Sequence, residues 1–268
     1  MPDRTWRKSK NIVHAFADSI VQEEITRMVS GDVEKSASPN NMNGQERYVF
    51  LHELIKQTQD PKRLRSELLN ILLAGRDTTA SLLSNTWFTL ARRPDIWAKL
   101  QAEVDGLKGQ RPQYADIKEM KYLRWVLNEC LRLMPVVPAN SRSAVRDTVV
   151  PIGGGADGKA PVFCPKGSVI AYHPWTFQKR KDLYGEDADE FRPERWEKLR
   201  PGWEYLPFNG GPRICVGQQF ALIEASYTTI RLMQAFPRIE ARDEREWCEY
   251  VTLTLASGVG CRVALFES

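Results

Sequence analysis

Apolar residues recur at helical spacing over several long stretches of the chain. Between residues 60 and 93 they fall every three or four positions, and a proline stands near each end, at Pro61 and Pro94. This spacing predicts one long, mostly buried helix. The same spacing predicts shorter helices over residues 10–29, 48–58, 94–107, 119–134 and 218–236. A polar stretch at residues 31–47 predicts a mobile surface loop.

The pattern changes to short runs with strand-type alternation between residues 136 and 175. Gly153-Gly154-Gly155 and Pro165-Lys166-Gly167 separate these runs and predict turns. The triple glycine is not followed by Lys-Ser/Thr or by a helix start, so we do not interpret it as a phosphate loop. Residues 250–264 predict a closing hairpin around Ser257-Gly258. The chain is therefore predicted to be mainly α with a small β region.

The composition is that of a globular protein and excludes several classes. Of the 268 residues, 42% are hydrophobic and 27% charged, which is ordinary for a packed domain. The five cysteines have no C-x-x-C spacing and are odd in number, which argues against a disulfide framework and a zinc site. No apolar run reaches the ~18 residues of a membrane span. The net charge of +4 is mild, its lysines and arginines are scattered, and no nucleic-acid motif is present.

One cysteine, Cys215, lies among glycines and a cation directly before the predicted helix at 218–236. The glycines of this segment allow a positive φ and the close approach of a flat ligand. Arg213 is a permanent cation with a fork geometry that suits carboxylates. A cysteine presented in this way is suited to bind a metal as its thiolate. For an isolated cysteine, the alternative is an inert buried thiol beside a glycine-rich turn.

Polar residues also interrupt the predicted helices. Gly75 costs about 1 kcal/mol relative to alanine inside a helix, and Asp77 and Thr78 follow it at mid-helix. This interruption indicates a functional site; the alternative is that Thr78 bonds to its own helix and Asp77 lies in solvent. Glu129 and Arg132 are three residues apart and share one face of their helix.

Four segments resemble, in order and spacing, the motifs of the cytochrome P-450 monooxygenase family. They read AGRDTT at 74–79, ECLR at 129–132, FRPERW at 191–196 and FNGGPRICVG at 208–217. The resemblance covers essentially all of residues 1–268 and implies the C-terminal portion of the cytochrome P-450 fold, truncated at the N-terminus. It implies one partial domain with a long oxygen-activation helix at 60–93, an E-x-x-R helix at 119–134, and a meander and haem-thiolate loop at 182–217.

The resemblance also implies a haem b site and a role for each matching residue. Cys215 is then the axial thiolate ligand of the iron. The other implied haem-binding residues are Arg142, Phe208, Gly211, Arg213 and Gly217. Asp77 and Thr78 become the catalytic pair that delivers protons during oxygen activation. The implied structural support of the haem site comes from Glu129, Arg132 and Arg195.

The implied reaction inserts one oxygen atom of O2 into a C–H bond of a lipophilic substrate. Electrons then come from NADPH through a cytochrome reductase, for which a basic face around Lys121, Arg124 and Arg213 is a candidate docking site; the alternative is an ordinary solvated surface. Implied localisation for a full-length form is the cytosolic face of the endoplasmic reticulum membrane. Implied substrate walls are the helix near Leu73 and Ala74, Val136–Ala139 and Leu255–Ser257.

Residues 205–222 look most like fungal subfamilies that hydroxylate n-alkanes and fatty acids. Gln178 departs from that subgroup, which usually has a histidine there. Family members are roughly twice as long, so we also expect a fragment with apolar surface exposed along residues 64–90. The alternative function is a catalytically silent remnant or an interaction module. A thiolate-haem sensor or electron carrier is disfavoured because it has no need of Asp77 and Thr78.

Overall fold

The computed structural model describes residues 3–30 and 49–267, so the loop predicted at 31–47 lies outside the described residues. The helices are α1 (Arg4–Val29), α2 (Phe50–Gln57), α3 (Pro61–Leu90), α4 (Pro94–Asp105), α5 (Tyr114–Glu119), α6 (Lys121–Leu133), α7 (Pro174–Phe177), α8 (Lys181–Tyr184) and α9 (Gln218–Ala235). The strands are β1 (Asn140–Ser143), β2 (Thr148–Gly154), β3 (Ala160–Cys164), β4 (Val169–Tyr172), β5 (Arg238–Ala241), β6 (Glu249–Val251), β7 (Leu255–Ser257) and β8 (Val263–Phe266). The predicted class, mainly α with a small β region, is confirmed.

The chain divides into two compact units at the peptide between Arg76 and Asp77, inside α3. In the first unit, apolar residues of α1, α2 and the start of α3 form a small core of Val21, Leu51, Ile55 and Leu64. Two polar contacts accompany this core. Arg65 donates to Asp18 at 2.8 Å, and His52 lies 3.1 Å from Glu24.

The second unit has a larger core, formed mainly by α4, α6 and α9. These three helices pack against one another, and each contributes the apolar face that its sequence spacing predicts. Leu100 of α4, Leu127 of α6 and Ile230 of α9 are almost completely buried. Burial of each such side chain contributes about 1.5–3 kcal/mol. This core positions α6, whose C-terminal half carries Glu129 and Arg132.

Within the described residues, the strands form four antiparallel pairs, β1 with β4, β2 with β3, β5 with β8, and β6 with β7. In the first pair, Arg142 lies opposite Ile170. The triple glycine lies at the β2–β3 connection, where Gly153 and Gly155 have φ values of 123° and 74°. Gly153 and Gly154 belong to the end of β2, and the turn itself runs from Gly155 to Gly158, whose amide donates to the Gly155 carbonyl at 3.3 Å.

The hairpin predicted around Ser257-Gly258 is wrong in its turn and in its partner. The chain reverses at residues 252–254, where the Thr252 amide donates to the Thr254 carbonyl at 3.0 Å. Gly258 does not form the tip; its amide donates to the Cys248 carbonyl at 2.8 Å and extends the β6–β7 ladder. Strand β8 pairs with β5 instead. Gly258 predicts a hairpin turn at that position, but the topology is decided by the turn at residues 252–254 and by the pairing of β8 with β5.

The long helix ends earlier than its predicted limit at residue 93. The reason is the start of α4, in which Arg93 is the N-cap and Pro94 the first helical residue. The helix α3 itself is continuous from Pro61 to Leu90 and includes Gly75. Over residues 3–30 and 49–267, none of the helices combines the length and the apolar character that crossing a bilayer requires.

Candidate functional site

The segment Phe208–Gly217 forms a closed loop that presents an exposed cysteine. The amide of Cys215 donates to the carbonyl of Phe208 at 2.9 Å and closes the loop, and the amide of Ile214 donates to Gly211 at 3.1 Å. Gly211 has a φ of 69°, a left-handed conformation in which any side chain is strained. The thiol of Cys215 is exposed at the end of this loop. Phe208 packs against the core of the second unit and so anchors the loop.

Gly210 makes a close contact that leaves no room for a Cβ atom in the observed packing. Such an atom would lie 2.5 Å from Cζ3 of Trp203, a distance at which atoms overlap. A Cβ atom at Gly217 would lie 3.8 Å from the Cys215 sulfur, in ordinary van der Waals contact. Gly210 therefore permits the observed position of Trp203, whereas no close contact requires glycine at 217.

The surface around Cys215 fits haem, a flat apolar ring that carries two carboxylates. Val216, which follows Cys215, is 93% exposed, and Phe220, in the first turn of α9, is 72% exposed. Exposed apolar side chains near a thiol in the chain suit contact with an apolar ring. Arg213 is exposed and forms no ion pair with any described residue. A thiol, apolar neighbours and a cation without a carboxylate partner are the groups that such a ligand needs.

Arg142 lies on β1 and lines the same pocket as the start of the cysteine loop. Its Nη1 atom donates to the Ser141 carbonyl at 2.8 Å. The pocket has a volume of about 550 Å³ and also contains Tyr172, Asn209 and Gly210. The Tyr172 hydroxyl donates to the Asn209 side chain and links the β1–β4 pair to the loop. The structure therefore brings Arg142 and the loop together.

A buried network centres on Glu129. Its Oε1 accepts from Arg132 Nη2 at 2.8 Å and from Arg195 Nε at 2.7 Å. Its Oε2 accepts from Arg132 Nε at 2.9 Å and from Trp196 Nε1 at 2.9 Å. The side chains of Glu129 and Arg132 are 0% exposed. Because buried charges are stable only when every donor and acceptor is paired, the network fixes the positions of all four side chains.

The two arginines also bind the chain that leads to the cysteine loop. Arg132 Nη1 donates to the carbonyls of Gln178 at 3.0 Å and Ala188 at 2.6 Å. Arg195 Nη2 donates to the carbonyl of Asp187 at 2.8 Å. Burial alone would raise the pKa of the Asp187 carboxyl, but attraction to Arg195 prevails and holds it below its ordinary value. The meander is thus fastened to α6.

Two hydrogen-bonding residues of this region were missed as site residues. Trp196 lies inside the FRPERW motif, but nothing in the sequence indicates that its indole reaches Glu129. Gln178 was noted only as a departure from a subgroup, although its side chain is fully buried. A polar residue between loops gives no periodic signal, so its burial could not be predicted.

Comparison with known proteins decides the family. The family model described as Cytochrome P450 matches residues 1–253 of the chain. The chain belongs to the cytochrome P450 family.

Several fungal cytochrome P450 proteins are similar to the chain. Cytochrome P450 monooxygenase himC of Aspergillus japonicus is 52% identical over 86% of this chain and 42% of its own length. Cytochrome P450 52A13 of Debaryomyces hansenii is 47% identical over 97% of this chain and 50% of its own length. Cytochrome P450 52A1 of Candida tropicalis is 47% identical over 97% of this chain and 48% of its own length. The chain thus spans about half the length of the curated relatives it matches.

In this cytochrome P450 chain, the predicted catalytic pair lies on α3. Asp77 is exposed and Thr78 is half-buried. Two of the predicted substrate walls adjoin, since the Leu255 amide donates to the Val136 carbonyl at 2.8 Å. Asn85 of α3 accepts from Trp247 Nε1 at 3.0 Å, two residues before β6 begins.

The candidate docking face of this cytochrome P450 chain includes the first turn of α6. Lys121 and Arg124 are exposed there, and Arg213 is exposed on the cysteine loop. Arg124 Nη1 lies 3.4 Å from the Lys118 carbonyl, its acceptor. Exposure of these cations is what either a docking face or an ordinary solvated surface predicts.

Proposed function

We propose that the chain forms the haem-thiolate part of a monooxygenase that inserts one oxygen atom of O2 into a C–H bond of a lipophilic substrate. The observation that carries this proposal is the exposed Cys215 at the end of a closed loop, flanked by the apolar surface of Val216 and Phe220. Membership of the cytochrome P450 family supports it.

Haem b would be held by Cys215 at the iron and by Arg142 and Arg213 at its carboxylates. Bound there, haem supplies an iron centre whose thiolate ligand favours O–O cleavage. A Cβ atom at Gly217 would touch the sulfur at 3.8 Å. Gly211 allows the turn that aims the cysteine, and the packing of Phe208 keeps this turn on the core.

Asp77 and Thr78 move protons in the proposed reaction. Asp77 is exposed and exchanges protons with water, whereas its neighbour Thr78 is half-buried on the same helix. A carboxylate at the solvent and a hydroxyl one residue further can pass a proton inward. Glu129, Arg132 and Arg195 do not act on the substrate; they hold the meander before Cys215.

The proposed substrate class is n-alkanes and fatty acids, from the resemblance of residues 205–222 to fungal subfamilies that hydroxylate them. Val136–Ala139 and Leu255–Ser257 would contribute apolar walls. The proposed electron donor is an NADPH-cytochrome reductase that docks on the face with Lys121, Arg124 and Arg213. A full-length form is proposed to act at the cytosolic face of the endoplasmic reticulum membrane.

The test compares the haem-loaded protein with its Cys215→Ala variant. Wild type should give the long-wavelength Soret band of thiolate-ligated haem after reduction under carbon monoxide, and should hydroxylate a fatty acid with NADPH and reductase. Cys215→Ala should lose both. Retained hydroxylation in the variant would refute the ligand assignment. The thiolate band without any hydroxylation, by n-alkane or fatty-acid product analysis, would favour a catalytically silent protein.

Thr78→Ala should separate electron consumption from product formation. Without the hydroxyl, protons reach the reacting oxygen less efficiently, so a larger share of the NADPH electrons should leave as hydrogen peroxide. General acid–base groups typically contribute about 10²–10⁴-fold, so hydroxylation should fall by at least the lower figure. The measurement is product and peroxide per NADPH. Thr78→Ser, which keeps the hydroxyl, is the control; equal coupling in Thr78→Ala and wild type would contradict the proton role.

A further inference from the structure

Gln178 is fully buried and joins three parts of the second unit through one side-chain amide. It is the residue that follows α7. Its Nε2 atom donates to the carbonyls of Leu131 at 3.0 Å and Arg132 at 3.1 Å. Its Oε1 atom accepts from the backbone amide of Leu206 at 2.8 Å. Both donor positions of the side-chain amide and its oxygen therefore have hydrogen-bond partners.

The two carbonyls belong to the last turn of α6. Carbonyls in the last turn of a helix have no partner within the helix and must be satisfied from outside. Gln178 satisfies two of them at the end of the helix that carries Glu129 and Arg132. Arg132 in turn donates to the Gln178 carbonyl at 3.0 Å. Residue 178 is thus bound to α6 through both its backbone and its side chain.

The third contact leads to the cysteine. Leu206 begins a turn in which its carbonyl accepts from the Asn209 amide at 3.2 Å. Within that turn, the Phe208 carbonyl accepts from the Cys215 amide at 2.9 Å. Gln178 binds Leu206, the first residue of this turn, and Phe208, its third residue, binds Cys215. Only a group that donates on one side and accepts on the other can connect α6 with this turn.

We propose that Gln178 is a positioning residue that sets the placement of the Cys215 loop relative to α6. This inference rests on the proposed function, because its readout uses the haem that Cys215 would bind. The hydrogen bonds on which the positioning role depends are independent of catalysis. An apolar side chain at 178 would leave two buried carbonyls and one buried amide without partners.

The experiment compares wild type, Gln178→Met and Gln178→His as haem-loaded proteins. Methionine keeps the length of the side chain but removes its hydrogen bonds, whereas one histidine nitrogen can donate and the other accept. The first readout is hydrogen exchange at the Leu206 amide. The second is the ratio of the thiolate-type Soret band to the band of protein that has lost the thiolate.

In Gln178→Met we expect exchange at Leu206 to quicken and the thiolate-type ratio to fall, each by at least about tenfold, since three hydrogen bonds are lost and even one contributes close to that equilibrium factor. Gln178→His keeps one donor and one acceptor but lacks the second donor, so it should restore both readouts in part. The matched control is Trp97→Phe, which removes a hydrogen bond of 3.1 Å to the Pro237 carbonyl elsewhere in the same unit. It should change neither readout at Cys215, even if it lowers the melting temperature.

The possible results separate this inference from the proposed function. A wild type without the thiolate-type band contradicts the proposed function, and the exchange data then still test the contact. An unchanged ratio in Gln178→Met, or a ratio that falls equally in Trp97→Phe, overturns the positioning role. If Gln178→Met does not fold, hydrogen exchange at the Leu206 amide of the wild type is the test. Slow exchange supports its hydrogen bond to Gln178, and exchange as fast as in an open loop overturns it.

Discussion

Glu129 shows how much a single residue can control in this protein. Its two carboxylate oxygens accept from Arg132, Arg195, Trp196 and the backbone amide of Arg192, the last at 3.0 Å. One acidic group therefore satisfies donors from α6 and from the meander. The network stabilises the fold only while every member is paired, because a buried guanidinium that loses its carboxylate cannot be solvated by water instead.

Glu129→Gln should destabilise the second unit by about 3–5 kcal/mol, since it leaves the buried guanidinium of Arg132 without a counter-charge and Arg195 with Asp187 alone. Denaturant unfolding followed by tryptophan fluorescence measures this. The control is Glu186→Gln in the meander, whose carboxylate is 91% exposed. Surface changes of that kind alter stability by less than about 0.5 kcal/mol. Similar unfolding midpoints for the two variants would show that the network does not contribute.

At this scale the sequence predicts candidate polar residues but not all of their partners. Glu129 and Arg132 could be paired from their helical spacing. Gln178 could not be connected to Arg132, because the chain beyond α7 has no period from which side-chain directions follow. Contacts between residues more than forty positions apart depend on how the loops pack.

Among the elements, α6 depends on a cap from another helix. Its N-cap residue, Met120, makes no side-chain hydrogen bond to the helix. Instead the carboxylate of Glu103, from α4, accepts from the amides of Tyr122 and Leu123, both at 2.9 Å. A negative charge at a helix N-terminus also interacts favourably with the helix dipole. The helix that carries the Glu129 network is thus held at its start by α4.

Glu103→Ala should cost about 1–2 kcal/mol of stability, the usual range for loss of a strong N-terminal cap. Faster hydrogen exchange at the Tyr122 and Leu123 amides should accompany the loss. Glu103→Gln retains an acceptor without the charge and should lie between wild type and Glu103→Ala. Equal exchange rates at both amides in all three proteins would contradict the capping role.

Element prediction succeeds where local patterns are long and fails where pairing is distant. The apolar spacing over 60–93 corresponds to α3, observed at Pro61–Leu90. The closing hairpin was placed at the wrong turn because β8 finds its partner in β5, more than twenty residues away. Glycine marks many turns, but in this case strand register is decided by pairing that no local signal contains.

At the scale of the whole molecule, two units share one helix, and the candidate haem surface belongs to the second. Ile214, Val216 and Phe220, all within five residues of Cys215 in the chain, have exposed apolar side chains. A ligand that binds this surface in the folded state but not in the unfolded state raises the stability of the fold by mass action.

Haem should therefore raise the melting temperature of the protein, and its removal should lower it. At a free haem concentration of a hundred times Kd the gain is about 2.7 kcal/mol. Cys215→Ser should show a clearly smaller gain, because the thiolate bond to iron is lost. Circular dichroism melts with and without haem measure both values. The same increase in the two proteins would mean that haem binds elsewhere.

The contact between Trp203 and Gly210 couples two positions of this loop. A Cβ atom at 210 would lie 2.5 Å from Cζ3 of Trp203 and 3.2 Å from Cδ2 of Leu206, so a side chain there requires the indole to shift. Trp203 is 71% exposed, so the indole has room to move toward solvent. A substitution at 210 therefore displaces a surface side chain first, and the core of the unit is not its first target.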